Sequence, residues 1–497
     1  MEAHKKAIAK IAASVRYFFE RNEPYRIFHG STNSTRPYQR NKTVDISALS
    51  NVLMVDVKSR TALVEPNVPM DRLVESTLKH NLIPPVVMEF PGITAGGGFA
   101  GTSGESSSFK YGFFNRTINS VEMTLANGDI VTASEQENAD LFHGASGAVG
   151  SLGITTMIEL QLVEAKRYVK TTYYPVQSIA SAIEKVQKET LNTDLDYVDG
   201  IVFSKDHAAI ITGELTDDLP ENTQVQRFSD AKDPWYYLHV KDRTCSATSP
   251  ITEYIPIAEY LFRYDRGGFW VGRSAFEYFR FPFNRFTRWW LDDFVHTRML
   301  YKALHASSMS KNYIVQDLAL PYATAEQFIN YTAESFGIWP LWLCPLRQSP
   351  SPTLHPHFLE KEADGSLKPM LNIGLWGWGP SQQDIALMKN RELERKLREF
   401  RGMKWLYAHT YYTEKEFWDI YDRTWYDELR KKYHATSLPS VWQKVKVNET
   451  VDRSWSAWFL ALWPIGGFWG IRKAIQSGQY LIARNSTWKL RDKPVEK

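Results

Sequence analysis

Apolar positions along the chain follow two periods, and each predicts its own element. Ile8, Ile11, Ala12, Val15, Phe18 and Phe19 recur at helical spacing, so the segment 1–24 is expected to be a packing helix rather than a membrane-surface one. Val52–Val57 and Thr61–Glu65 are β-rich runs around Lys58-Ser59-Arg60, a hairpin signature, and Pro66 ends the second. Pro69 opens a helix whose stripe is Leu73, Val74, Thr77 and Leu78 and whose stop is Asn81. Val121–Leu125, Asn127-Gly128 and Ile130–Thr132 read as strand, turn and strand, and Ile154–Leu162 as one more strand. Ile201–Ser204 and Ala208–Thr212 read as paired strands. Ser381 is the expected N-cap of a helix running to about Arg401, with Ile385, Leu393, Leu397 and Phe400 on one face and Gly402 as its stop. Its charged run reads as a solvated face. Trp405-Leu406-Tyr407 predicts a returning strand, and Glu414 to Tyr433 a helix.

The 497 residues allow two or three domains, and 43% hydrophobic with 23% charged content is ordinary globular usage. A net charge of +3 excludes a polyelectrolyte case for nucleic-acid binding. Cys245 and Cys344 cannot form a disulfide framework; they suit a reducing compartment and leave no Cys-rich metal site. All 17 Trp lie at or after Trp235, which suggests a nucleotide-type domain followed by an aromatic-walled one. The N-terminal segment has no signal-peptide-like apolar core, so a cytosolic start is expected. Trp455 to Ile471 carries no charge and is broken by Pro464-Ile465-Gly466-Gly467. It reads as a hairpin lying on a membrane, with a core or oligomer contact and a true span as the alternatives.

Three Gly-rich loops punctuate the first half: His29-Gly30-Ser31-Thr32-Asn33-Ser34, the run from Pro91 to Gly112, and Gly144 to Ile154. Glycine lets backbone N–H groups approach a diphosphate, and Ser and Thr hydroxyls add donors. None of the three is a Rossmann fingerprint or a P-loop.

With the hairpin and helix between them, these loops resemble the FAD-binding domain of the vanillyl-alcohol-oxidase/p-cresol-methylhydroxylase flavoproteins, from about Tyr25 to Leu162. The second half narrows the resemblance. Tyr313-Ile314-Val315-Gln316-Asp317, Trp339 to Pro345, Leu406-Tyr407-Ala408 and Glu105-Ser106-Ser107-Ser108 are similar to the Δ24-sterol reductases. The resemblance implies an α+β protein. Residues 25–165 would form an FAD-binding domain, 166–402 an inserted α+β substrate (cap) domain, 403–447 a return to the first domain, and 448–497 a tail. It implies FAD held by His29, Gly30, Ser31, Thr32, Asn33, Ser34, Thr94, Gly96, Gly97, Gly98, Gly101, Thr102, Gly104, Ser107, Ser108, Lys110, Tyr111, Gly147, Gly150, Gly153 and Ile154. Asn33 stands where covalent flavin binders often place a His, and the second loop has no Cys, so the FAD is expected to be non-covalent. NADPH as reductant, an apolar sterol-like substrate, no nucleic acid and peripheral attachment to the endoplasmic reticulum membrane through 455–471 complete the expectation.

Reducing an isolated alkene needs a hydride, a proton and a dry pocket. Tyr407, His409 and Tyr411 alternate along the predicted returning strand and so would face one side; Glu105 lies in the second loop. These four are the candidate proton donors, against plain roles as sheet packing or a helix cap. Gln316, Asp317 and Trp342 are candidate substrate contacts, and Lys110 could balance a reduced flavin. His355 and His357 lack a third ligand, so no metal is expected. The competing functions are an FAD-dependent oxidase of an alcohol or specialised metabolite using O2, and a non-catalytic flavin-bound scaffold.

Overall fold

A computed structural model describes residues 1–30, 42–307, 309, 312–380, 382–447 and 462–489. Ser31, Thr32, Asn33, Ser34, Ser381 and Trp455 to Ala461 lie outside the described residues.

The first third of the sequence builds strands β1 (Arg26–Phe28), β2 (Thr43–Asp45), β3 (Val52–Asp56), β4 (Thr61–Val64), β5 (Leu82–Ile83), β6 (Ile118–Thr124), β7 (Ile130–Ser134), β8 (Ile154–Gln161) and β9 (Val163–Glu164). Five of them form an antiparallel sheet in the order β3-β4-β8-β6-β7. β8 buries Ile154, Thr156, Ile158 and Leu160, the period-2 pattern of a strand with one covered face. The helix Glu2–Phe19 buries Ile8, Ile11, Ala12 and Val15. His4 Nδ1 meets Glu65 Oε1 at 2.7 Å, and Arg16 donates to the Gly128 carbonyl, so this helix is a packing helix as expected.

The rest adds β10 (Tyr168–Val176), β11 (Tyr197–Ser204), β12 (His207–Thr216), β13 (Ile251–Pro256), β14 (Tyr313–Leu320), β15 (Leu341–Leu346), β16 (Met370–Trp378) and β17 (Met403–Lys404). They make one eight-stranded antiparallel sheet, ordered β13-β10-β12-β11-β15-β16-β14-β17. Its central strands β15 and β16 are buried almost throughout, because both faces are covered. Leu341, Leu343, Ile373, Leu375 and Leu318 pack with buried residues of helices Ile179–Glu189, Tyr322–Ser335 and Gln383–Glu399. Alternate residues, among them Trp342, Cys344 and Trp376, join the core that also holds the first sheet.

Several elements depart from expectation. The returning strand is only Met403–Lys404; residues 405–411 form turns and an irregular segment, because the strand pairs with just Leu318 and Ala319. The helix expected over 414–433 is two helices, Glu414–Trp418 and Arg423–Lys432, the second capped by the Asp422 side chain. Ile385 faces solvent, whereas Leu393 and Leu397 are buried. The tail helix Ile465–Gln476 starts directly after Pro464, so Gly466 and Gly467 lie inside its first turn; residues 448–461 lie outside the described residues. An added Cβ on Gly467 would lie 2.4 Å from the Tyr278 ring, so this glycine permits close packing.

Candidate active site

The two sheets enclose a cavity of about 1230 Å³, larger than the roughly 300–1,000 Å³ of an ordinary small-molecule site. Parts of all three Gly-rich loops reach its wall: His29 and Gly30; Thr94, Gly96, Gly97, Gly101 and Gly104; Gly150, Gly153 and Ile154. Its far end is aromatic, with Phe269, Trp342, Trp376 and Trp378 among its lining. One connected space therefore joins a small-residue end to an apolar end.

The small-residue end suits a diphosphate. Gly30 and Gly150 have φ of +79° and +71°, where a Cβ is strained, and the N–H groups of Val149 and Gly150 donate to no backbone acceptor among the described residues. Lys444, from the late return segment, donates to the Gly150 carbonyl at 3.0 Å, and half-buried Arg26 lines the same end. The second loop contributes differently from expectation. The N–H groups of Ala95, Gly96 and Gly97 are held by Val68 O, Pro66 O and Thr94 Oγ1, so they form no open anion nest. Gly96 is there for close approach: a Cβ on it would sit 2.7 Å from the Pro66 Cβ.

Other expected residues stand behind the wall. Gly98 packs against Met88 and Phe114, Gly147 against Leu354, and Thr102 donates to the Gly101 carbonyl. Ser107 precedes the short helix Ser108–Tyr111 without a side-chain capping bond, and Ser108 Oγ accepts the Glu105 N–H. Lys110 is spent on Asp196 at 2.9 Å and does not reach the cavity, and Tyr111 ends that helix outside the lining.

At the junction of the two ends lie two acidic centres. Glu105 and Glu89 both line the cavity, are fully buried and interact through their side chains. Burial first, then the neighbouring carboxylate, hold Glu105 well above the usual carboxyl range; burial also raises Glu89. Glu105 Oε2 has no hydrogen-bond partner among the described residues. Behind the pair, Arg263 contacts Glu89 at 3.4 Å and Asp199 at 2.9 Å; Tyr264 Oη and Trp342 Nε1 also donate to Asp199.

The second centre is Asp317, whose carboxyl accepts from Tyr407 Oη at 2.9 Å and from Asn372 Nδ2 at 3.3 Å. Burial raises it from 3.8 to about 6. The Tyr407 ring lies 3.3 Å from where a Gly101 Cβ would be, tying this centre to the second loop. Gln316 and Asp317 are neighbours on β14 and so point to opposite faces: Asp317 lines the cavity, while Gln316 donates to the His409 carbonyl outside it. His409 and Tyr411 also stay off the cavity wall, because residues 405–411 do not form the strand that would have aligned them with Tyr407; the Tyr411 N–H donates to Glu394.

Sequence reasoning missed Glu89, Tyr301, Lys302, Arg298 and Trp376. Arg298 lines the cavity but is held by Asp71 through two hydrogen bonds at 2.6 and 3.0 Å. Lys302 also lines it, its pKa lowered by burial, with no ion pair among the described residues. None of these sits in a motif; only folded proximity reveals them. Among the described residues no group of three His, Cys, Asp or Glu is arranged to hold a metal.

Comparisons with known proteins bear on the cofactor and the family. A family described as an FAD binding domain matches residues 5–134. Delta(24)-sterol reductase of Mus musculus is 30% identical over 404 residues, covering 80% of this chain and 76% of the mouse protein, and the Homo sapiens protein of that name matches with the same identity and coverage. Delta(24)-sterol reductase of Arabidopsis thaliana is 26% identical over 454 residues, covering 85% of this chain and 80% of the plant protein.

Proposed function

Since this chain belongs to the Delta(24)-sterol reductase family, we propose that it reduces a C=C bond in the side chain of a sterol or sterol-like substrate, using FAD as cofactor and NADPH as reductant. The observation that carries this reading is the single cavity running from the glycine loops to an aromatic wall, with buried carboxyl groups at the junction. Residues 25–165 with 403–447 serve as the FAD-binding part and 166–402 as an inserted cap. In support, Tyr426 Oη donates to Ser151 and Lys432 pairs with Asp140, which returns the late segment to the first sheet's side.

FAD, when bound, supplies two-electron hydride chemistry. His29, Gly30, Gly96, Gly97, Gly101, Gly104, Gly150, Gly153 and Ile154 would hold it, with Lys444 and Arg26 beside its phosphates. The substrate gains one hydride, ultimately from NADPH, and one proton, while NADPH becomes NADP⁺. Glu105 supplies the proton: a neutral carboxyl is the form its burial favours, and Glu89 holds it by hydrogen bonding. Asp317 orients the Tyr407 hydroxyl at the same junction. Trp342, Trp376 and Phe269 exclude water and offer ring faces to positive charge developing on the more substituted carbon.

The test is anaerobic incubation with NADPH and side-chain-unsaturated sterols, followed by product analysis. A saturated side chain and bleaching of the flavin by NADPH are expected. Bleaching by substrate alone, with peroxide on admitting air, would overturn the reading in favour of an oxidase. Acid precipitation is expected to release free FAD; flavin left on the polypeptide would refute non-covalent binding.

A further inference from the structure

The apolar end of the cavity leads to an unusual surface. Helix Arg285–Trp290 and the tail helix Ile465–Gln476 with the residues before it carry Phe286, Trp289, Trp290, Trp463, Phe468 and Trp469, all exposed; Phe286, Trp290 and Phe468 are 65%, 61% and 60% accessible. The tail is tied to residues 278–280, just before the helix Arg285–Trp290. Phe279 and Phe468 rings lie 5.3 Å apart, Trp463 Nε1 donates to the Tyr278 carbonyl at 2.7 Å, and the Arg280 guanidinium lies 4.9 Å over the Trp463 ring. Phe281, Trp290, Phe468, Ile471 and Ile482 line the cavity as well, so the patch surrounds its mouth.

Cations outnumber acids around this mouth: Asp292 and Asp293 follow Trp290 closely, but they are engaged by Arg266 and Arg484. Residues 280–290 and 462–489 contain Arg280, Arg285, Arg288, Arg472, Lys473, Arg484 and Lys489 and no Asp or Glu. Arg484 is ion-paired with Asp293, whereas Arg280, Arg285, Arg288, Arg472 and Lys473 have no ion pair among the described residues. Exposed Trp and Phe among unpaired cations match an anionic headgroup layer over hydrocarbon. Among the described residues no helix is long and apolar enough to cross a membrane.

We propose that this face docks on the surface of an anionic lipid bilayer and opens the cavity toward it, so that an apolar substrate enters from the lipid. The docking rests on the surface chemistry; the entry route rests on the sterol-reduction reading as well. The test uses the FAD-loaded full-length protein, co-sedimented with phosphatidylcholine vesicles with and without phosphatidylserine, in the absence of NADPH and sterol. Its outcome is therefore independent of activity. Wild type is expected to sediment with the anionic vesicles and more weakly with the neutral ones. Two triple variants, Phe286→Ser/Trp289→Ser/Trp469→Ser and Arg285→Glu/Arg472→Glu/Lys473→Glu, lie off the cavity wall and are expected to keep their flavin absorbance. Each should bind on the order of a hundredfold more weakly. Wild-type protein that stays in the supernatant, or variants that keep their flavin and bind as tightly as wild type, would overturn the proposal. A wild-type dimer that ignores vesicles and falls apart in the Ser variant would make the face a contact between two copies, which also overturns it.

Discussion

At the scale of single residues, the cavity holds carboxyl groups that burial makes keep their protons above the ordinary range. Glu105 holds its proton above the usual carboxyl range; with Glu105 as the proposed proton donor, the reaction should slow as pH rises through the titration of the Glu89–Glu105 pair. Glu105→Gln keeps the shape and removes the proton, so kcat/KM should fall by about 10²–10⁴-fold, and the remaining rate should lose that alkaline limb. A pH–rate profile of Glu105→Gln that matches wild type would remove Glu105 from the chemistry. Asp317 makes a separate prediction about stability. Its folded pKa, about 6, lies above its ordinary 3.8, so the fold binds this proton more tightly than the unfolded state does. That contribution is complete below 3.8 and is lost as pH rises to about 6, a swing of about 3 kcal/mol. Asp317→Asn does not ionise; it carries a constant cost for one lost acceptor, but its melting temperature relative to wild type should climb between about pH 4 and pH 7. Thermal melts across that range check it, and a pH-independent difference would show that Asp317 is ionised throughout. Glu105 and Asp317 were visible in the sequence as candidates, but Glu89 was not, because nothing around Met88-Glu89-Phe90 marks it until folding brings it beside Glu105.

At the scale of elements, legibility followed local chemistry. The β3–β4 hairpin, the β6–β7 turn with Gly128 at φ +87°, and the helix Met70–Leu78 were read correctly, because turn dipeptides and apolar period decide them within a few residues. The returning strand failed because pairing is not local: β14 offers it only two partners. The second Gly-rich loop was legible as a cofactor loop, but its glycines divide by packing that the sequence does not display. Gly96 meets Pro66 backbone and ring, whereas a Cβ on Gly97 would touch only Thr94 Oγ1 at 3.2 Å and Ile93 at 4.0 Å. Gly96→Ala should therefore cost about 1–3 kcal/mol in stability, by forcing apart a well-packed contact. Gly97→Ala should fold near-normally and show its effect chiefly as weaker FAD retention, since Gly97 lines the cavity. Chemical denaturation and flavin titration of the two variants separate the cases; equal destabilisation of both would refute the division.

At the scale of the whole molecule, the two halves that composition separates do not behave as separate bodies. One buried apolar core contains Val64 and Phe113 of the first part together with Trp342, Trp376 and Trp405 of the second, and Trp405 Nε1 donates to the Thr102 carbonyl across the boundary. The absence of Trp before residue 235 predicted an aromatic-walled second half, but not that the wall would close over the glycine loops, because contacts of such sequence separation leave no local pattern. This arrangement turns composition into a measurement. All Trp emission reports on the second half, while flavin release reports on the loops of the first. If the shared core makes one cooperative unit, both signals should change in a single thermal transition. Removing FAD should lower that transition as a whole, by the equivalent of about 2.7 kcal/mol when free FAD had stood at a hundredfold over its Kd. Flavin leaving well before the Trp signal moves, in a protein whose second half then melts at an unchanged temperature, would show that the cavity wall is not held by the ligand. It would leave the first half alone as the FAD-binding body.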